Sequence, residues 1–556
     1  MTELLVVLVT GFVVIAAAAV VGPRLGIAAP LVLVVVGVGA SFLPLFTAVE
    51  IEPEWILEGV LPPLLYSSAV SMPAMNFRRE FGAISGLSVV LVVASSLVLG
   101  VFFALVVPGL GFAWGVALGA IVSPTDAVAT SIIKRTPTSK RVVAMLEGES
   151  LLNDATALVI LRTAIVATAA AFSFWGALGS FAYSVAVAVV LGGAVGVLAL
   201  QVRKRVSDPT VTTVISFAVP FVASVPAELL EASGLVAAVV AGLVTGVRAP
   251  RDLSVRNRLS DSQNWCTVEL VLEGAVFLTM GLQIRTIVES VERDHAGVAT
   301  AVLVAVGALV LTVLLRAAYV APLLKVLAVR SRRSGRLRDR MQEMQGRMTT
   351  PEGQQEAFAE VNRRRREPSG RQLERFASRV TQVVADIDYF LRQPLGWREG
   401  TTVVWAGMRG AVTVAAAQTL PESTPQRSVL VLVAFTVATL SLLVQGGTIG
   451  PLVRRLAPPA DPDATDEQAE ADRLRLLELM RHAGDDLPEP VPAEGESRTA
   501  TVQAQVRWRI AVLEAQRAAL LDARDHGTFD ADALEEALAN LDASQIAIEL
   551  RVRPAD

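Results

Sequence analysis

Three short stretches of an otherwise apolar chain hold the residues that could do chemistry. They read Ser123-Pro124-Thr125-Asp126, Glu149-Ser150-Leu151-Leu152-Asn153-Asp154 and Gly407-Met408-Arg409-Gly410. Each lies inside a run of Ala, Val, Leu and Gly long enough to cross a bilayer, where a charge is costly and ordinarily faces a cavity or a partner.

Pro124 cannot donate a backbone hydrogen bond and clashes with the carbonyl four residues back, so the helix must break or kink there. A break frees backbone oxygens and amides at membrane depth, which is tolerable where they line a cavity. Thr125 and Asp126 stand beside those oxygens, a setting for a hard cation. The plainer reading has Asp126 capping the second half-helix, and capping and ion binding can coexist.

Ser150, Asn153 and Asp154 are spaced i, i+3 and i+4 and share one helix face; Glu149 reaches Asn153 at i+4. The stripe offers a hydroxyl, an amide and a carboxylate, the oxygen groups that can replace the hydration of a cation. Asp154 is deep in the apolar run, where a carboxylate can hold a proton or a cation but not both well. A hydrogen-bonded patch joining two helices is the competing reading, though a bare carboxylate is an expensive way to join them. Glycines at 407 and 410 flank Arg409, weaken the helix and permit unusual dihedrals. Arg409 keeps its proton and needs an acidic partner or freed carbonyls. Glu149 is the best candidate, and a purely structural Glu149–Arg409 pair is the alternative to one that serves the site.

The elements that position these residues are transmembrane helices. The chain has 556 residues, 18% of them charged, against about 25% in soluble domains, and a mean hydropathy of +0.53. Apolar runs predict an all-α polytopic membrane protein with about thirteen segments. They fall at roughly 4–22, 27–46, 54–73, 82–107, 113–134, 141–171, 176–202, 210–226, 230–247, 265–290, 297–328, 400–420 and 426–455. The expected organisation is a membrane part over 1–328, a charged helical insertion over 329–399, two last spans over 400–456 and a helical tail over 457–556. Within the tail, Gly527 should end one helix and Asp530 start the next; the Pro- and Asp-rich link at 457–466 should be flexible.

Alternate loops hold the basic residues, including Arg78, Arg79, Lys134, Arg135, Arg203, Lys204, Arg205, Arg251 and Arg258. The intervening loops hold Glu50, Glu52, Glu54, Glu228 and Glu231. Basic loops favour the cytoplasm, which puts the N-terminus outside and the C-terminus inside. Segments five and twelve are both interrupted and seven segments apart, so they run in opposite directions. Broken helices at matching places point to inverted repeats with the site at mid-membrane. Asp126 and Arg409, of opposite sign, are placed to neutralise the half-helix ends.

One cysteine, Cys266, and three histidines, His295, His482 and His526, in loops or tail argue against a disulfide framework or a metal cluster. No metalloprotease motif, serine–histidine pair or phosphate loop is present, which argues against an enzyme. No repeated filter loop is visible, which argues against a channel. No cofactor and no nucleic-acid partner is expected.

The three motifs, with Leu61-Pro62-Pro63-Leu64-Leu65-Tyr66 and Phe277-Leu278-Thr279-Met280-Gly281, resemble the monovalent cation/proton antiporters of the NhaP and NHE type over about residues 1–456. The resemblance implies a homodimer in a bacterial plasma membrane, working by alternating access. It implies sodium coordination by Thr125, Ser150 and Asp154, with Asp126 as a further candidate. Asn153 before Asp154 resembles the electroneutral branch, and Glu149–Arg409 resembles that family's structural ion pair. One departure stands out. Archaeal relatives carry a glutamate shortly after the Pro-Pro-Leu-Leu-aromatic run, where this chain has Ser67-Ser68, so potassium is an alternative cation.

Overall fold

The computed structural model describes residues 2–43, 52–169, 174–294, 297–347, 350, 358, 370–457, 462–485, 487–490 and 497–552. Glu50, His295 and parts of the insertion and of the 457–466 link lie outside the described residues. Every described element is helical, the arrangement that satisfies backbone donors and acceptors where no water reaches.

The chain divides into two compact units. The first comprises Met1–Ala249, Leu259–Leu324 and Leu395–Ala457. It begins with α1 (Thr2–Leu25), α2 (Ala29–Ala40) and α3 (Leu61–Ser71, led by a π-helical turn at Trp55–Val60). Next come α4 (Ala74–Ser85), continued through a π turn at Gly86–Leu91 into α5 (Val92–Val106), and α6 (Phe112–Val122) with α7 (Val128–Ile133). Then follow α8 (Lys140–Ala169), α9 (Phe174–Arg203), α10 (Pro209–Leu229), α11 (Gly234–Asp252), α12 (Val255–Leu282), α13 (Ile284–Arg293) and α14 (Val298–Arg347). After the insertion helix α15 (Gly370–Arg392), the unit closes with α16 (Trp397–Trp405), α17 (Ala411–Gln418), α18 (Arg427–Ser441) and α19 (Gly447–Leu456), the last two joined by a π turn.

Nine helices among the described residues are long and apolar enough to cross a membrane, with α2 and α6 as shorter apolar helices. Leu105, Val190 and Leu303 are exposed on α5, α9 and α14, a surface that suits lipid rather than water. Inside, small residues let backbones approach. A Cβ on Gly119 of α6 would collide with Ser96 O of α5, and one on Gly242 of α11 would come within 2.7 Å of Tyr66 O of α3. Two buried arginines are paired with carboxylates, as burial demands. Arg141 Nε of α8 lies 2.6 Å from Glu80 of α4, and Arg203 of α9 lies 2.7 Å from Asp261 of α12.

Expected segments five and twelve are each divided into two short helices, α6/α7 and α16/α17. The interruptions touch: Asp126 N–H donates to Met408 O at 2.7 Å.

The second unit contains Pro250–Arg258, Lys325–Pro394 and Pro458–Asp556. Insertion and tail therefore share one unit with the segment 250–258. Its tail helices are α20 (Pro462–Asp485), α21 (Arg498–His526) and α22 (Ala531–Val552). Gly527 takes the left-handed conformation, φ 71°, that ends α21, as suits a residue without a Cβ. Asp530 Oδ1 accepts from Asp532 N at 3.1 Å where α22 begins. Leu476, Leu520, Leu521, Leu534 and Leu538 form a core between the three helices. Arg258 holds Asp542 through both carboxylate oxygens, at 2.7 and 2.8 Å, and Asp542 also accepts from Arg517 at 2.8 Å. The Arg258–Asp542 pair ties the segment 250–258 to the tail.

Candidate ion-binding site

The first break runs from Ser123 to Ala127, between α6 and α7. Its two ends carry opposite partial charges, carbonyl at the end of α6 and amide at the start of α7. The carbonyl end is met by Arg409: Nε donates to Val122 O at 3.0 Å and Nη2 to Ser123 O at 3.4 Å. Arg409 Nη1 also donates to Gly407 O, and its backbone N–H to Ser441 Oγ at 2.8 Å. The amide end is met by Asp126, whose Oδ1 accepts from Val128 N at 3.0 Å.

The expected ion pair between Glu149 and Arg409 is not the one that forms. Glu149 is clasped by Arg316 of α14, through Nη1 to Oε1 and through Nη2 to Oε2 at 2.7 Å. Arg316 Nε donates to Val403 O at 2.9 Å, and both side chains are buried. Arg409 is served by freed carbonyls instead. The reason is geometric: Arg409 lies on the break itself, where unpaired oxygens are closest, while Arg316 projects from an intact helix that has none to offer.

The polar stripe on α8 also divides. Glu149 and Asn153, one turn apart, face Thr125. Thr125 Oγ1 donates to Glu149 Oε1 at 3.0 Å, and Asn153 Nδ2 donates to Thr125 O at 2.8 Å and to Thr125 Oγ1 at 2.9 Å. Ser150 and Asp154, also one turn apart, face a cavity instead. The rows 149/153 and 150/154 are separated by about 100° on a helix, enough to turn one inward to the network and the other to open space. Ser150 Oγ donates to Glu147 O at 3.0 Å, so its lone pairs remain free. Thr125 Oγ1, already donor to Glu149 and acceptor from Asn153, keeps one. Asn153 Oδ1 is buried without a hydrogen-bond partner among the described residues.

The cavity encloses about 240 Å3. Pro124, Thr125, Asp126, Ser150, Asp154 and Gly410 are among its lining residues, so most of the singled-out residues meet at one place. Asp154 is 9% exposed and makes no hydrogen bond or ion pair with any described residue. A second cleft of about 10 Å3 touches Asp154 from another side and is lined by Ala120, Ile121, Ala157, Leu158, Leu161 and Ala416 among others. Asp154 thus stands between a polar cavity and close apolar packing.

Gly407 and Gly410 matter for space rather than for dihedral freedom. Gly410 is extended, φ −116° and ψ −163°, a region open to any residue. A Cβ there would overlap the Asp126 carboxylate, and one on Gly407 would sit 2.7 Å from Arg316 Cδ.

Three functional candidates escaped the sequence reading: Arg316, and Glu269 and Glu273 of α12, which line the cavity. All three are charges within apolar runs, the same signal that marks Asp154. Ser67 Oγ donates to Glu269 Oε2 at 3.1 Å.

Comparison with known proteins identifies the family. The profile of the family described as sodium/hydrogen exchanger, transmembrane, matches residues 10–343 and 375–455. An uncharacterised Na(+)/H(+) exchanger of Mycobacterium tuberculosis is 26% identical over 589 residues, spanning 99% of this chain and 97% of the relative. A sodium, potassium, lithium and rubidium/H(+) antiporter of Bacillus subtilis is 30% identical, over 48% of this chain and 41% of the relative. The fold is similar to the solved structure of the sodium proton antiporter MjNhaP1 from Methanocaldococcus jannaschii, with a TM-score of 0.54 and 15% identity, covering 82% of this chain and 100% of that one. The chain is a multi-pass membrane protein that belongs to the sodium/hydrogen exchanger family, a family of transporters rather than enzymes.

Proposed function

We propose that the protein exchanges sodium for protons, one for one and electroneutrally, by alternating access at Asp154. The observation that carries this reading is Asp154 itself: a nine-tenths buried carboxylate without a partner among the described residues, lining a cavity that also offers Thr125, Ser150 and Asp126. A sodium ion and a proton exclude each other on one carboxylate, and this exclusion couples the two flows. Thr125 and Ser150 contribute the remaining oxygens. Asn153, Glu149 and Arg316 fix Thr125 in place and do not touch the ion. Pro124, Gly407 and Gly410 keep the two helix breaks open, with Arg409 and Asp126 neutralising their ends.

The lining runs from Asp154 to Lys134, beside a basic loop. With basic loops at the cytoplasm, the cavity faces inward, and the apolar packing by Leu158 and Leu161 closes the opposite route. The N-terminus is then outside, the C-terminus inside, the bilayer a bacterial plasma membrane and the working unit a homodimer that maintains sodium and pH balance. Potassium is the second reading for the cation: the Bacillus subtilis relative is named for sodium, potassium, lithium and rubidium, and position 67 of this chain is a serine.

Proteoliposomes holding the purified protein, with internal pH followed by a trapped dye and the membrane potential clamped, test this. Sodium added outside should drive proton movement whose rate is independent of the clamped potential. Potential-dependent exchange would overturn the one-for-one stoichiometry. Proton movement driven by potassium alone would move the assignment to the second cation.

A further inference from the structure

The cavity lies on a seam between two groups of helices. α8 packs against α4, α5, α6 and α7, and α17 packs against α6 and α18. α10 packs against α9 and α3. α12 joins that second group, through Arg203–Asp261 to α9 and through Trp265 against Phe217 of α10 and Tyr66 of α3. Thr130, Ser150 and Val412 line the cavity from the first group, and Leu61, Leu65 and Phe277 line it from the second.

Two polar bonds cross the same seam at the helix ends remote from the basic loops. Arg162 Nη1 of α8 lies 2.9 Å from Glu228 Oε2 of α10. Gln418 Nε2 of α17 donates to Gln283 Oε1, just past the end of α12, at 2.9 Å. Along α8 the order is Asp154, Leu158, Leu161, Arg162. Arg162 therefore lies about 12 Å beyond the exchange carboxylate, past the apolar packing of Leu158 and Leu161. Each bond has an anchored partner. Glu228 Oε1 accepts from Gly234 N at 3.0 Å, where the chain turns from α10 to α11 through Glu231 at φ 56°. Arg427 donates to the carbonyls of Leu420 and Gln418 at 2.7 and 2.6 Å and so holds the end of α17. The Arg162 and Glu228 side chains are 59% and 34% exposed, so their pair is weak enough to be made and broken in every cycle. A fully buried pair such as Glu149–Arg316 would lock the seam instead.

We propose that Arg162–Glu228 and Gln418–Gln283 form the outer latch of the exchange cycle: they hold the seam shut on the face away from the basic loops, and both bonds part before Asp154 turns to that face. The geometry gives the reason. Asp154 reaches the outer face only when the packing at Leu158 and Leu161 opens. That opening draws α8 away from α10 and α17 away from α12, the two pairs of elements that the bonds join. The four residues are positioning residues: they touch neither ion and act on Asp154 by setting how often each face is open. Weakening the latch shifts the balance toward the outward-open form and leaves the ion site itself intact. This inference rests on the antiporter reading.

The test reads which face is open. Cys266 is exposed and is first replaced, Cys266→Ser, in the full chain. Ala157→Cys then puts a thiol at a site 3% exposed, against the packing that must open. Its rate of modification by a membrane-impermeant maleimide added outside intact cells is compared with and without Arg162→Gln, Glu228→Gln or Gln283→Ala. Losing half of an exposed ion pair should raise that rate about two- to fivefold, and Gln283→Ala should move it the same way. Sodium KM, measured on right-side-out and inverted vesicles, should fall at the outer face and rise at the inner one. The exchanged pair, Arg162→Glu with Glu228→Arg, should return both readouts toward the parent values. Glu228→Gln carries the test if Arg162→Gln does not reach the membrane. An unchanged modification rate with unchanged KM at both faces would overturn the latch. So would a lowered unfolding temperature with KM altered equally at the two faces, because that pattern belongs to a structural staple. A parent protein that moves no cation would sink the antiporter reading, while the thiol rate still decides whether the bonds hold the seam.

Discussion

Arg316 of α14 clasps Glu149 of α8, with Nη2 2.7 Å from Oε2 and a second bond from Nη1 to Oε1. This pair anchors the Thr125 side of the ion cavity, since Glu149 Oε1 also accepts from Thr125 Oγ1 at 3.0 Å. Two buried ions held this way are worth little against an apolar pair of equal size, but breaking one side leaves the other charge bare.

Arg316→Gln should therefore destabilise the protein by about 3–5 kcal/mol, read as a lowered unfolding temperature in detergent. Combining it with Glu149→Gln should recover part of the loss, with a coupling of about 1–3 kcal/mol. The parallel cycle of Glu149→Gln with Arg409→Gln should couple more weakly, because Arg409 bonds to carbonyls of Val122, Ser123 and Gly407. Equal coupling in the two cycles would contradict the assignment of Arg316 as the partner.

Gly410→Ala should force the two helix breaks apart, because its methyl group would overlap the Asp126 carboxylate. A cost of about 1–3 kcal/mol is expected from overpacking, together with a loss of sodium-driven proton flux. Gly447→Ala is the control: nothing lies within 4 Å of a Cβ there. Thermal unfolding and flux measured on both variants separate crowding at the break from a general response to alanine.

Acidification should raise the sodium KM, since a proton on Asp154 blocks the cation. The sign follows from competition: more protons leave fewer empty carboxylates, and more sodium is needed to displace them. Where protonation dominates, KM should climb by about tenfold per pH unit for one proton displacing one cation. A steeper slope would show that a second proton is displaced. Initial rates over a pH series at several sodium concentrations give the slope.

In the second unit, Leu520→Ala should cost about 2–5 kcal/mol, because Leu520 is fully buried in the core shared by α20, α21 and α22. Limited proteolysis of the full chain should show faster cleavage within the tail. Unaltered protease resistance would contradict a packed three-helix core.

The all-helical membrane fold and the two interruptions were legible because their causes are local. Pro124 breaks a helix by its own chemistry, and glycines at 407 and 410 announce a weak point. The tail hairpin was legible for the same reason, through Gly527 and Asp530. What was not legible depends on distance and on facing. Glu149 and Arg316 are 167 residues apart, and spacing along one helix says nothing about which arginine arrives from another. The i, i+3, i+4 pattern on α8 puts Ser150, Asn153 and Asp154 on one side of the helix, but only packing shows that Asn153 turns to Thr125 while Ser150 and Asp154 meet the cavity. Glu269 and Glu273 carry a readable signal, two carboxylates one turn apart in an apolar span, but their helix is unbroken and so lacks the local mark that Pro124 and the glycines at 407 and 410 give the other two. The glycines were assigned to dihedral freedom, whereas the missing Cβ is what the Asp126 carboxylate requires.

The most direct test of the account is sodium-driven proton flux through wild type and Asp154→Asn, reconstituted at equal amounts and shown to unfold at similar temperatures. Wild type should exchange sodium for protons, and Asp154→Asn should show neither proton release nor isotopic sodium uptake above empty vesicles. Exchange by Asp154→Asn at the rate of wild type would contradict a shared proton and cation site at Asp154.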